Sequence, residues 1–241
     1  MRLIMGKSYF RFKQFLIKQE SAAMKVGTDG VLLGAWIDAE GVNSVLDIGT
    51  GSGVIALMIA QRNHNATIHA VEIDHSSALQ AKYNFENSPW SSRLRIDPLP
   101  LQEFSSKCDS KFDLIVSNPP YFNKSLKSPS PERTLSRHTD ELPNSDLLEG
   151  VKKHLVADGR FCAIFPYTEG NIFIAEAVNY GLYCNRKLFV KTKPEKPVIR
   201  ILTEFSFHKK LLPDSTISIH TIEGDYTEEY KMLTADFYLA F

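Results

Sequence analysis

A chain of 241 residues with 43% hydrophobic composition can bury a sizeable core, which excludes a peptide or a disordered tail. Its 28 basic and 28 acidic residues cancel, so net charge argues for neither a nucleic acid nor a membrane partner. The wide spacing of Cys108, Cys162 and Cys184 suggests no disulfide framework or metal site, and no apolar run approaches a membrane span or a signal peptide. The expectation is a cytoplasmic protein with no membrane and no metal partner. Charge is nonetheless uneven: six Lys/Arg stand against Glu20 in residues 1–25, and six acids against Lys231 between Asp214 and Phe241.

From Tyr9 to Gln19 aromatic or apolar residues alternate with basic or polar ones. Period two predicts one or two short strands, or an extended arm, with Arg11, Lys13 and Lys18 on the wet face. Such lysines solubilise an edge hairpin, and basic residues interleaved with aromatics also hold single-stranded nucleic acid. Lys25-Val26-Gly27-Thr28-Asp29-Gly30 then leads into a predicted helix bearing Val31, Leu32, Ala35 and Trp36, with Thr28 or Asp29 as its cap. A helix start at a sheet edge leaves N–H groups for whatever binds there.

Val45 to Ile48 reads as a strand, Gly49-Thr50-Gly51-Ser52-Gly53 as a glycine turn, and Val54 to Ala60 as a helix, the first half of a βαβ unit. The G-x-G-x-G spacing differs from the G-x-G-x-x-G of dinucleotide sites, and no Lys-Ser/Thr pair completes a phosphate loop. Asp47 ends the strand as an acceptor for a cationic or N–H-bearing ligand part, or as a solvated turn residue. The next strand, Thr67 to Val71, ends in Glu72, whose two oxygens can each take a ribose hydroxyl, while Asp74 is the expected cap of the following helix. Leu94-Arg95-Ile96 is a third strand, followed by a turn through Pro98 and Pro100.

Phe112 to Val116 is a further buried strand, closed by Asn118-Pro119-Pro120-Tyr121. Two prolines neither donate to a ladder nor continue a helix, so a stiff loop is expected at the carboxyl end of the strand, where open α/β sheets bind ligands. Asn118 Oδ1 and the Pro119 carbonyl can accept from an amino group, and Tyr121 can stack on its ring. A proline-rich turn with a core tyrosine is the plainer alternative. Residues 123–140 read as a mobile loop carrying Lys124, Lys127, Arg133, Arg137 and His138. A helix through Leu147 to Leu155, a strand at 159–166, a helix at 169–180 and an antiparallel pair, Tyr183–Val190 and Val198–Phe207, complete the pattern.

The glycine turn after one strand, an acid ending the next and Asn-Pro-Pro-Tyr ending the fourth resemble the Rossmann-like methyltransferases that use S-adenosyl-L-methionine. Lys-Val-Gly-Thr-Asp-Gly at 25–30, and Asn-Pro-Pro-Tyr-Phe followed by Arg137-His138, further resemble the bacterial enzymes that methylate N6 of adenosine 37 in the anticodon loop of valine tRNA. That resemblance implies an α/β fold with a seven-stranded, mostly parallel sheet, helices on both faces and a terminal antiparallel hairpin. It implies one methyltransferase domain over 1–241, with 1–27 as a basic, aromatic arm and 28–241 as the catalytic core; a monomer is expected. Asp47 with Gly49, Gly51 and Gly53 would hold the methionine part, Glu72 the ribose, and Lys25, Gly27 and Thr28 the same pocket. Asn118, Pro119 and Tyr121 would be catalytic, with Asn118 also near the cofactor. Arg11, Lys13, Lys18, Lys124, Arg137 and His138 would meet RNA. Such enzymes often place a polar or acidic contact to the cofactor adenine within Asp97 to Leu101, where the prolines of this chain obscure which residue serves. Methylation of another exocyclic or amide nitrogen, in rRNA, DNA or a protein glutamine, is the alternative.

Overall fold

A computed structural model describes residues 8–20, 25–120, 142–210 and 212–241. The elements in chain order begin with β1 (Tyr9–Arg11), β2 (Leu16–Lys18), α1 (Thr28–Trp36), β3 (Ser44–Ile48), α2 (Val54–Arg62), β4 (Thr67–Val71), α3 (His75–Glu86) and β5 (Leu94–Asp97). They continue with α4 (Leu101–Lys107), β6 (Phe112–Ser117), α5 (Asn144–His154), β7 (Leu155–Pro166), α6 (Tyr167–Ala177), β8 (Tyr183–Lys191), β9 (Val198–Ser206), β10 (Ser215–Ser218) and α7 (Glu228–Thr234).

The large sheet has the order β10-β8-β9-β7-β6-β3-β4-β5. β5, β4, β3, β6 and β7 are parallel neighbours, and β9 runs antiparallel between β7 and β8. The Rossmann-like expectation therefore stands with one correction: the sheet has eight strands, not seven. The added strand, β10, pairs parallel with β8 through Ser215–Ser218 opposite Leu188–Lys191. Ser-Thr-Ile-Ser is short and mostly polar, so neither apolar run nor alternation marks it; pairing to one neighbour at the sheet edge makes it a strand.

Strand residues alternate between two cores. Val45, Leu114, Val116, Cys162, Ile164 and Leu202 join the cluster under α1, α2 and α3. Leu46, Ile115, Phe161, Ala163 and Ile201 join the one under α4, α5 and α6. A strand covered on both faces needs no polar side, which is why these segments read as continuous apolar runs.

β1 and β2 form a separate antiparallel hairpin with Tyr9 opposite Lys18 and Arg11 opposite Leu16. Phe10, Phe12, Phe15 and Ile17 point into the first core. Asn84 on α3 ties the hairpin to the glycine turn: its Oδ1 accepts from Lys18 N at 2.9 Å, and its Nδ2 donates to Lys18 O at 2.9 Å and Ser52 O at 2.8 Å.

Helix starts follow the sequence in one case and depart in another. Asp74 caps α3 as expected, its Oδ1 accepting from Ser77 N at 2.7 Å. At α1 the cap position is Gly27, with no side-chain cap, and Thr28 and Asp29 lie inside the first turn. Asp29 instead accepts from Arg200 Nε of β9 at 2.8 Å. A guanidinium is a stronger partner for a carboxylate than a cap N–H, and an acid in the first turn still favours the positive helix end.

Candidate active site

The parallel register builds the site. Ile48 lies opposite Val71 and Ser117, and Val71 opposite Asp97. The residues that follow these strand ends, Pro98, Glu72, Gly49 and Asn118, therefore lie side by side along one edge. Four strands at about 4.8 Å spacing span roughly 14 Å, room for an elongated ligand lying across the strand ends. Ser117 Oγ donates to Ile48 O at 2.9 Å and fixes the two central ends against each other.

The glycine turn is fastened to β4, with Gly49 N and Thr50 N both donating to Val71 O, at 2.9 and 3.2 Å. Gly49 and Gly51 have φ of +69° and +58°, and a Cβ on either would meet no heavy atom within 4 Å. That side of the turn is open to a ligand. Gly53, at φ +85°, is different: a Cβ there would lie 2.5 Å from the Phe85 ring of α3. Gly53→Ala is expected to cost about 1–3 kcal/mol for overpacking besides about 1–2 kcal/mol for the left-handed backbone. Thermal unfolding should show a larger drop for it than for Gly51→Ala; equal drops would mean that Phe85 gives way freely.

Glu72 is buried, its Oε2 accepting from Gly51 N at 2.8 Å and its Oε1 from Asp74 N at 2.9 Å. Each oxygen keeps a lone pair for a hydroxyl donor. Burial raises its carboxyl above the ordinary range, opposed by these backbone N–H groups. Asp47 lies deeper, fully buried beneath the turn. Its Oδ2 accepts from Thr50 Oγ1 at 2.6 Å, while its Oδ1 has no hydrogen-bond partner. Desolvation pushes it up to about 7, against the Thr50 hydrogen bond and the nearby Ala56 backbone N–H, and Glu72 adds to the rise. A solvated turn acid is thus excluded, and a buried carboxylate oxygen that no well-formed hydrogen bond reaches is suited to a cationic group.

Asn118 is half-buried and Pro119 buried. Tyr121, Lys124, Arg137 and His138 lie outside the described residues. Lys25 and Gly27 are exposed ahead of α1 and Thr28 is exposed in its first turn, and the start of α1 lies beside that of α2: a Cβ on Gly30 would lie 3.2 Å from Val54 Cγ1. Arg11 is exposed on the hairpin. Lys13 donates to Ala235 O and Phe241 O at 2.5 and 2.6 Å, and Lys18 pairs with Glu20 at 3.3 Å while standing 5.1 Å from the Tyr83 ring centre. The arm's cations are therefore partly engaged by the fold itself.

Sequence reasoning reached Asp97 only as one end of the stretch Asp97 to Leu101, without choosing among its residues. Asp97 ends β5 next to Glu72, whose N–H donates to Asp97 O at 3.2 Å, and its carboxylate takes a hydrogen bond from His69. The signal was a lone histidine in the apolar strand Thr67–Val71. Among the described residues no helix is long and apolar enough to cross a membrane, and no group of three or more His, Cys, Asp or Glu is placed to hold a metal ion.

This strand order, with a glycine turn, an acid and an Asn-Pro-Pro at successive ends, defines a Rossmann-like methyltransferase. Residues 23–163 match the Methyltransferase small domain family. Full-length relatives named tRNA1(Val) (adenine(37)-N6)-methyltransferase are 46% identical in Trichodesmium erythraeum (98% of this chain, 100% of the relative) and 39% identical in Photorhabdus laumondii (98% and 97%). The fold is shared with an Agrobacterium tumefaciens protein described as a predicted O-methyltransferase, at TM-score 0.65 and 17% identity over 87% of this chain and 96% of that one. It is also shared with a Lactobacillus delbrueckii ribosomal protein L11 methylase, at TM-score 0.51 and 22% identity over 75% and 77%. The chain belongs to the tRNA1(Val) (adenine(37)-N6)-methyltransferase family.

Proposed function

We propose that the protein transfers a methyl group from S-adenosyl-L-methionine to N6 of adenosine 37 in the anticodon loop of valine tRNA, acting as one catalytic domain, residues 28–241, with 1–27 as its RNA-facing arm. The observation that carries this is the line of strand ends. Asp97 and Pro98, Glu72, the open glycine turn and Asn118 follow one another along the edge, an order that would suit adenine, ribose, methionine and methyl acceptor in turn. Glu72's remaining lone pairs suit two ribose hydroxyls, and the unpaired Oδ1 of Asp47 suits the ammonium, directly or through water. Lys25, Gly27 and Thr28 would close the methionine end.

S-adenosyl-L-methionine supplies an electrophilic methyl on a sulfonium. The chain's part is to prepare the acceptor. An exocyclic amine conjugated with a purine is a poor nucleophile; accepting its two N–H groups at Asn118 Oδ1 and the Pro119 carbonyl favours a pyramidal nitrogen with its lone pair aimed at the methyl. The nitrogen becomes acidic only as the new bond forms, so the proton can leave afterwards to water and no base is needed before attack. Positioning and electrostatic complementarity supply the acceleration. The base must leave its loop, and Tyr121 would give it a ring to stack on.

The test is methylation of unmodified valine tRNA and of a copy with guanosine at position 37, followed by nucleoside mass spectrometry. N6-methyladenosine in the first RNA alone is expected; equal methylation of both would overturn the assignment. RNA affinity should fall with salt, and Arg11→Gln with Lys18→Gln should flatten log affinity against log salt by about 0.7–0.9 for each phosphate that the arm no longer neutralises. An unchanged slope and affinity would make the hairpin a structural edge only.

A further inference from the structure

We propose that His69 is a positioning residue that aims the Asp97 carboxylate at the amino group of the cofactor adenine, giving the site its preference for adenine over a 6-oxopurine. The inference rests on the cofactor reading above. Asp97 stands at the strand end beside Glu72, one place further along the edge from the ribose position. His69 Nε2 lies 2.8 Å from Asp97 Oδ2. A carboxylate only accepts, so Nε2 carries the proton and Nδ1 is the bare nitrogen. The His69 side chain is 6% exposed and that of Asp97 45%, so a buried ring holds Oδ2 of a carboxylate that is itself partly open to solvent at the strand end.

The cost of this arrangement argues against a purely structural role. Nδ1 is buried with no hydrogen-bond partner, and the ring stands edge-on to Phe104 at 4.9 Å within an apolar cluster. A leucine would fill that space without burying an unpaired nitrogen. Desolvation lowers the imidazole below its ordinary range, so the ring is a neutral donor at physiological pH. What the histidine adds is the donated bond to Asp97. That bond restricts the carboxylate's rotation, leaving Oδ1 to accept from an exocyclic –NH2 and to repel the carbonyl of hypoxanthine.

The experiment measures binding of S-adenosylhomocysteine and S-inosylhomocysteine, which differ at that group, by calorimetry. Wild type should prefer the adenine compound by about tenfold or more, as expected where a charged hydrogen bond forms with one ligand and not with the other. His69→Leu should compress the preference several-fold while the melting temperature holds or rises, and His69→Gln, whose amide can donate to Asp97, should restore it. Asp97→Ala should abolish it, which keeps the test valid if His69→Leu does not fold. Full preference in folded His69→Leu, or in Asp97→Ala, overturns the proposal. Equal wild-type binding of both compounds overturns it while sparing the cofactor reading; binding of neither overturns both.

Discussion

Asn118→Ala is expected to lower the single-turnover rate of methyl transfer by about 10²–10³-fold, the range for removing one group that meets charge developing in a transition state. Binding should change little. The acceptor at Asn118 Oδ1 gains most as the target nitrogen pyramidalises, so its loss falls on the rate more than on ground-state affinity for cofactor or tRNA. Ser117 supports the expectation, because its hydroxyl bond to Ile48 O sets the height of Asn118 against the glycine turn. Tyr121→Ala should instead impair placement of the base, by about 1–3 kcal/mol, and Tyr121→Phe should keep much of the activity, since stacking needs the ring and not the hydroxyl. Rapid-quench assays with saturating enzyme separate the two. An Asn118→Ala enzyme with an undiminished single-turnover rate would show that this loop does something other than present an amine.

The parts of this fold that were legible in the sequence are those set by neighbours along the chain. Gly49, Gly51 and Gly53 form the turn that their place after an apolar strand implied, each at a positive φ, and Asp74 caps the helix that it precedes. Glu72 falls at a strand end because its strand is a short apolar run with an evident stop. What escaped depends on partners far away in sequence. Asp29 reads as a cap until Arg200, 171 residues on, takes its carboxylate. β10 exists only because β8 offers it an edge. Asp97 is one candidate within Asp97 to Leu101 until His69 is seen to hold it, and Lys13 reads as an unpaired cation until the carbonyls of Ala235 and Phe241 bind it. Local propensity carries no information on such pairings, so the line of strand ends could be read while the bonds behind it could not.

Cofactor affinity is expected to be bell-shaped in pH, with Asp47 setting the acid limb. Its carboxyl, ordinarily near 3.8, is held at about 7 in the free protein because burial penalises the charge. At pH 6 it is mostly protonated. An arriving ammonium favours the carboxylate, so binding below about pH 7 must release a proton, and affinity should rise about fivefold between pH 6 and about pH 7.4. Above about pH 7.5 the cofactor's own α-amino group increasingly loses its charge and affinity should fall. The stability of the free protein moves the opposite way. A raised carboxyl leaves the folded state most favoured while protonated, so this contribution is fully present below about pH 4, erodes as pH rises toward 7, and is then constant, a loss on the order of 4 kcal/mol. Asp47→Asn should therefore raise the melting temperature more at pH 8 than at pH 5, weaken cofactor binding at pH 8, and leave only the alkaline limb of the profile. Calorimetry in buffers of different ionisation heat would detect proton release in wild type at pH 6.5 and none in the variant. A wild-type affinity that is flat from pH 6 to 8, with no proton released, would mean that the orphaned Oδ1 of Asp47 does not serve the ammonium.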